Sequence, residues 1–142
     1  MDEDDREALR RLVEEQGDEK AASRLVELAV HDGDVEALWF LVDSGSEEAA
    51  DALAVLAAEE GDVATLKRLI DTGNDEAADQ LTALAGANRD EELLEYLVDY
   101  GFPQAADRWA QIAAERGDTE TVTRLADEGS EVAASLMGRS AL

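Results

Sequence analysis

The side chains that could do chemistry are abundant but of few kinds. A nucleophile activated by histidine needs an imidazole beside it, and the chain holds a single one, His31, with no cysteine. His31 falls near the C-terminal end of an expected helix, where a surface position is expected. Carboxylates are plentiful: 36 acids stand against 12 bases, a formal charge of −24 at pH 7. Acid–base catalysis, however, needs two carboxyls whose surroundings differ. Asp43, Asp71, Asp99 and Asp127 recur instead at a constant step of 28 residues, as solvated helix ends would. The run Asp71-Thr72-Gly73-Asn74-Asp75-Glu76 offers oxygen ligands, but it lacks the Asp-x-Asp-x-Asp-Gly order and the distal glutamate of a calcium loop. With no Walker lysine, phosphate-cradling glycine loop or zinc spacing either, the reading is of a non-enzyme, without catalytic residues, cofactor or metal.

The acidic surface would repel a phosphate backbone, so nucleic acid is not an expected partner. No apolar run approaches the roughly 20 residues that cross a bilayer, and the start MDEDDRE is acidic where a secretory signal would be basic. A membrane partner is therefore not expected, and a cytoplasmic location is the default. The bases are ten arginines and only Lys20 and Lys67, a bias unlike the Glu/Lys surfaces given to designed helices.

The elements that position these residues are set by a repeat. Glycines stand at 17, 45, 73, 101 and 129, each followed four residues later by Ala-Ala, from Ala21-Ala22 to Ala133-Ala134. A second series, Gly33-Asp34, Gly61-Asp62 and Gly117-Asp118, marks the middle of each unit, with Arg89-Asp90 as its one departure. Glycine closes a helix in the left-handed conformation, and a following Asp, Ser or Asn accepts from the open amides of the next helix. Each pair thus spells stop and start. Pro103, the one proline, falls at the first position of a helix, where its missing N–H costs nothing. Apolar residues at helical spacing, such as Leu53, Leu56 and Ala57 on a first helix A and Leu66, Leu69 and Ile70 on a second helix B, complete the pattern.

The expected fold is all-α: a right-handed α-solenoid of stacked helix-turn-helix repeats, about nine helices, in one domain over 1–142. An N-terminal half-repeat (1–16) precedes full repeats at 17–44, 45–72, 73–100 and 101–128, and a C-terminal half-repeat occupies 129–142. The stretches LAVLAAEEGDVATLKRLIDTG (53–73) and IAAERGDTETVTRLADEG (112–129) resemble the two helices of an ankyrin repeat. The positions of ankyrin's Thr-Pro-Leu-His are held by Ala52-Leu53-Ala54-Val55, and the unit is about five residues short, with no room for the β-hairpin finger. Alternating Ala-Ala-rich and Leu-rich helices are also similar to tetratricopeptide-like repeats. The resemblance covers about residues 17–142, and what it implies is protein interaction.

In a repeat array, binding residues are those that leave the consensus at outward positions. On helix B the equivalent positions carry Phe40, Arg68, Tyr96 and Arg124, preceded in the first two units by Trp39 and Lys67, with Tyr100 one turn beyond Tyr96. With the B core stripe centred on Leu38, Leu41 and Val42, Trp39 and Phe40 are expected toward the outer side. Aromatics beside arginines have the composition of interface hot spots, but the same alternation would equally serve cation–π packing within the chain. A rival face lies on helix A, at Arg24, Glu27, Val55, Gln80, Arg108 and Gln111, whereas Trp109 occupies the leucine position of Leu25, Leu53 and Leu81 and is expected in the core. The last helix keeps Val132, Leu136, Met137 and Leu142 without a following B helix, which fits a piece of a longer array or end-to-end self-association. The function expected is a non-catalytic scaffold for a protein or peptide. Its alternatives are an acidic decoy or chaperone for a basic protein, and an engineered or consensus-derived repeat scaffold without native ligand.

Overall fold

The computed structural model describes residues 3–140. Ten α-helices follow one another: α1 (Glu3–Gln16), α2 (Glu19–Asp32), α3 (Val35–Asp43), α4 (Glu47–Glu60), α5 (Val63–Asp71), α6 (Asp75–Ala87), α7 (Glu91–Tyr100), α8 (Pro103–Glu115), α9 (Thr119–Asp127) and α10 (Glu131–Ser140). The all-α reading holds. The count is ten rather than nine among the described residues, because each of four hairpins supplies two helices and each end supplies one more.

The helix ends are where the repeat placed them. Gly33 closes α2 at φ +66°, and its N–H donates to the Ala29 and Val30 carbonyls. Asp34 then opens α3 by accepting from the Ala37 N–H at 3.1 Å. The same Asp cap recurs at Asp62, Asp90 and Asp118, each accepting from the residue three positions on at 3.1 Å. Arg89, in the place of a glycine, is held in the left-handed region at φ +53°. That backbone is forced by the stop itself, since the Asp90 N–H must reach back to the Ala85 carbonyl at 2.8 Å. For an L-residue this conformation costs about 1–2 kcal/mol.

The helices gather into two compact units, Met1–Ala77 and Ala78–Leu142. In the first, α2 packs on α1, α3 and α4, and α4 packs on α3 and α5. Its core is a leucine layer, Leu25, Leu38, Leu41, Leu53, Leu66 and Leu69, all 4% exposed or less. Each such side chain contributes about 1.5–3 kcal/mol when buried. The small side chains of Ala49, Ala50, Ala54 and Ala57 are buried as well, and they let neighbouring helices approach closely. In the second unit, α8 packs on α7, α9 and α10, and α9 packs on α10. Leu81, Leu94, Leu97, Ile112 and Leu125 form its core, joined by Trp109, which is 4% exposed.

Side chains also tie one A helix to the next at their first turns. Ser23 donates to Glu48 at 2.8 Å and Asn74 to Asp51 at 2.9 Å in the first unit. Gln104 donates to Asp79 at 2.9 Å and Ser130 to Asp107 at 2.8 Å in the second. Four of the carboxylates thus serve as internal bridges. Among the described residues, no helix is long and apolar enough to cross a membrane.

Candidate functional site

The polar chemistry of the chain is concentrated at helix starts. At Asp62 the Thr65 hydroxyl donates to the carboxylate at 2.6 Å, and the Thr65 N–H donates at 3.1 Å. These two donors, the hydroxyl first, hold the Asp62 carboxyl below its usual 3.8, against a small opposing effect of burial. Asp118 is lowered in the same way by the hydroxyl and N–H of Thr121, against an opposing effect of burial, with the Arg116 guanidinium adding a smaller pull in the same direction. Such carboxylates are fixed acceptors, committed to local amides and hydroxyls. His31 is exposed near the end of α2. No group of three His, Cys, Asp or Glu among the described residues is arranged to hold a metal ion.

Arginines of the B helices lie on aromatic rings within each unit, by a different pairing from the simple alternation. In the first unit the Arg68 guanidinium lies over the Trp39 ring, 4.1 Å from its centroid, and Arg10 lies over Phe40 at 4.5 Å. Both rings are half-buried, and each lies against an arginine of another helix. In the second unit Arg124 lies over Trp109 at 5.0 Å. Trp109 is buried, yet its Nε1–H has no hydrogen-bond acceptor, so the ring sits in the core by packing and by its contact with Arg124. Tyr96 and Tyr100 pack together with centroids 5.8 Å apart. Tyr100, 46% exposed, is the most open of the large hydrophobic side chains among the described residues.

The helix A face is more polar and locally self-paired. Arg24 bonds Glu27 at 3.0 Å, and Arg108 bonds Gln111 at 3.2 Å. Val55 is exposed and Gln80 half-buried. Arg108 has a second effect: its side chain lies so close to Gly86 that a Cβ there would come within 2.4 Å of Nε. On α10, Val132 and Leu136 are half-buried and Met137 is 37% exposed, while Leu142 lies outside the described residues.

One residue of interest escaped the sequence reading. Phe102 is the N-cap of α8 and supplies no side-chain hydrogen bond. At the equivalent starts, Asp18, Ser46, Asn74 and Ser130 all cap through their side chains. The Phe102 ring instead stacks on Tyr100, at 5.6 Å and an interplanar angle of 2°. The signal that could have found it was the break in the series of polar residues after the unit glycines.

Compared with protein-family models, with curated proteins and with solved structures, the chain matches none of them.

Proposed function

We propose that this chain acts without catalysis, as a scaffold that binds a protein or peptide on its repeat surface, as ankyrin-like and tetratricopeptide-like arrays do. The observation that carries the reading is where the large rings lie: in the first unit Trp39 and Phe40 sit half-buried under guanidiniums, and in the second Tyr96 and Tyr100 pack at a partly open surface. Rings oriented before a partner arrives lose little entropy on binding, and aromatic and arginine side chains dominate interface energetics. Trp39, Phe40 and Arg68 in the first unit, and Tyr96, Tyr100 and Arg124 in the second, are the residues assigned to binding.

A random-peptide display selection against the folded chain tests the proposal. Enriched peptides are expected, and the Phe40→Ala, Tyr96→Ala double variant should lose them while its helical circular dichroism is kept. A selection without enrichment rejects the scaffold reading; binding unchanged in the variant rejects these residues as the binding positions. The net charge of −24 favours one other reading, an acidic decoy or chaperone for a basic protein. Its affinity would collapse with added salt and ignore the aromatic substitutions.

A further inference from the structure

The second unit contains an open groove between the 101–103 turn and the 128–131 turn. Val98, Phe102 and Pro103 give it an apolar side, and Asp107, Glu128 and Glu131 supply carboxylates. Two of these acids have internal partners: Asp107 accepts from Ser130 at 2.8 Å, and Glu128 faces Arg124 at 3.6 Å. The first unit offers an internal comparison, because a groove at equivalent positions is lined by Asp18, Glu19 and Ser23 on one side and by Ser44, Ser46 and Glu47 on the other. Phe102 and Pro103 therefore stand where the first unit has two carboxylates. Replacing a capping side chain with phenylalanine removes a helix-end hydrogen bond, and the ring gained stacks on a tyrosine that is 46% exposed. A local rule broken in this way, without an internal gain of the same kind, marks a position kept for something else.

We propose that this groove takes an arginine-bearing, basic peptide segment, with a guanidinium on the Phe102 ring, itself stacked on Tyr100, and carboxylates of the groove around it. This rests on the scaffold reading and names the partner's chemistry. Charge complementarity selects a cation, since the chain carries 36 acids and 12 bases. Arginine rather than lysine follows from the ring, because a planar guanidinium stacks on an aromatic face and forms paired bonds to carboxylates, which an ammonium cannot do. The chain uses this contact internally, in Arg10 on Phe40, Arg68 on Trp39 and Arg124 on Trp109.

The test is fluorescence anisotropy with a labelled Gly-Arg repeat peptide and its Gly-Lys counterpart of equal charge, at physiological ionic strength. The Gly-Arg peptide should bind roughly tenfold more tightly than the Gly-Lys peptide. Phe102→Ser puts a capping residue back, so it should fold at least as well as the parent, and it should lose the preference. Tyr100→Ala, outside the cap, should lose it too. Equal binding of the two peptides, a preference that survives both substitutions, or no binding of the Gly-Arg peptide would each overturn the proposal. If the Gly-Arg peptide fails while display-selected peptides still bind, the partner chemistry is wrong and the scaffold stands. If both fail, both fall.

Discussion

Arg89 is the residue at which the chain departs from its own rule. Three of the four mid-unit stops use glycine and the fourth uses this arginine, with the same left-handed backbone. Arg89 has one compensation, an ion pair with Glu115 at 2.7 Å, but both side chains are more than half exposed. An exposed pair is worth at most about 1 kcal/mol, which does not exceed the conformational cost. Arg89→Gly should therefore stabilise the protein by about 1 kcal/mol, measured as a rise in the urea midpoint with unchanged slope. A lower midpoint would mean that the Glu115 pair outweighs the backbone.

Hydrogen bonds at the first turns of α5 and α9 connect this residue chemistry to pH. The Asp62 and Asp118 carboxyls are lowered in the folded state, so they contribute stability above their unfolded value and lose it as pH falls through the folded one. The loss therefore falls below about 3.8, the ordinary value. Removing the two hydroxyl donors, with Thr65→Val and Thr121→Val together, should flatten this part of the acid denaturation curve. Circular dichroism against pH reads it; an unchanged curve would show that the backbone N–H bonds alone set the acid response. These elements are also where the sequence was most legible. Glycine followed by Asp, Ser or Asn is a local signal, and among the described helices all but α7 begin or end within a few residues of it; α7 lies between Arg89-Asp90 and Gly101-Phe102. Side-chain pairing was less legible. Arg10 and Phe40 are 30 positions apart, and which helix faces which ring depends on packing that a pattern of apolar positions leaves open. Phe102 was hidden for a related reason: Pro103 beside it looks sufficient to start the helix.

At the scale of the molecule, charge dominates. A formal −24 on 142 residues repels itself in the compact state more than in the extended one. Added sodium chloride should accordingly raise the melting temperature, most steeply at low concentration, where the screening length changes fastest. A melting temperature that falls with salt would show that the exposed ion pairs, such as Arg116 with Glu91 and Asp118 at 2.8 Å, outweigh the general repulsion.

The bridges from one A helix to the next join residues 23 to 25 positions apart. At a synthesis rate of roughly 5–20 residues per second, the second partner of such a pair is made about one to five seconds after the first. A nascent chain can thus cover each apolar stripe soon after it is translated, without waiting for a distant segment. For a chain built of such stripes, that short wait limits the time in which chaperones or other nascent chains could reach them.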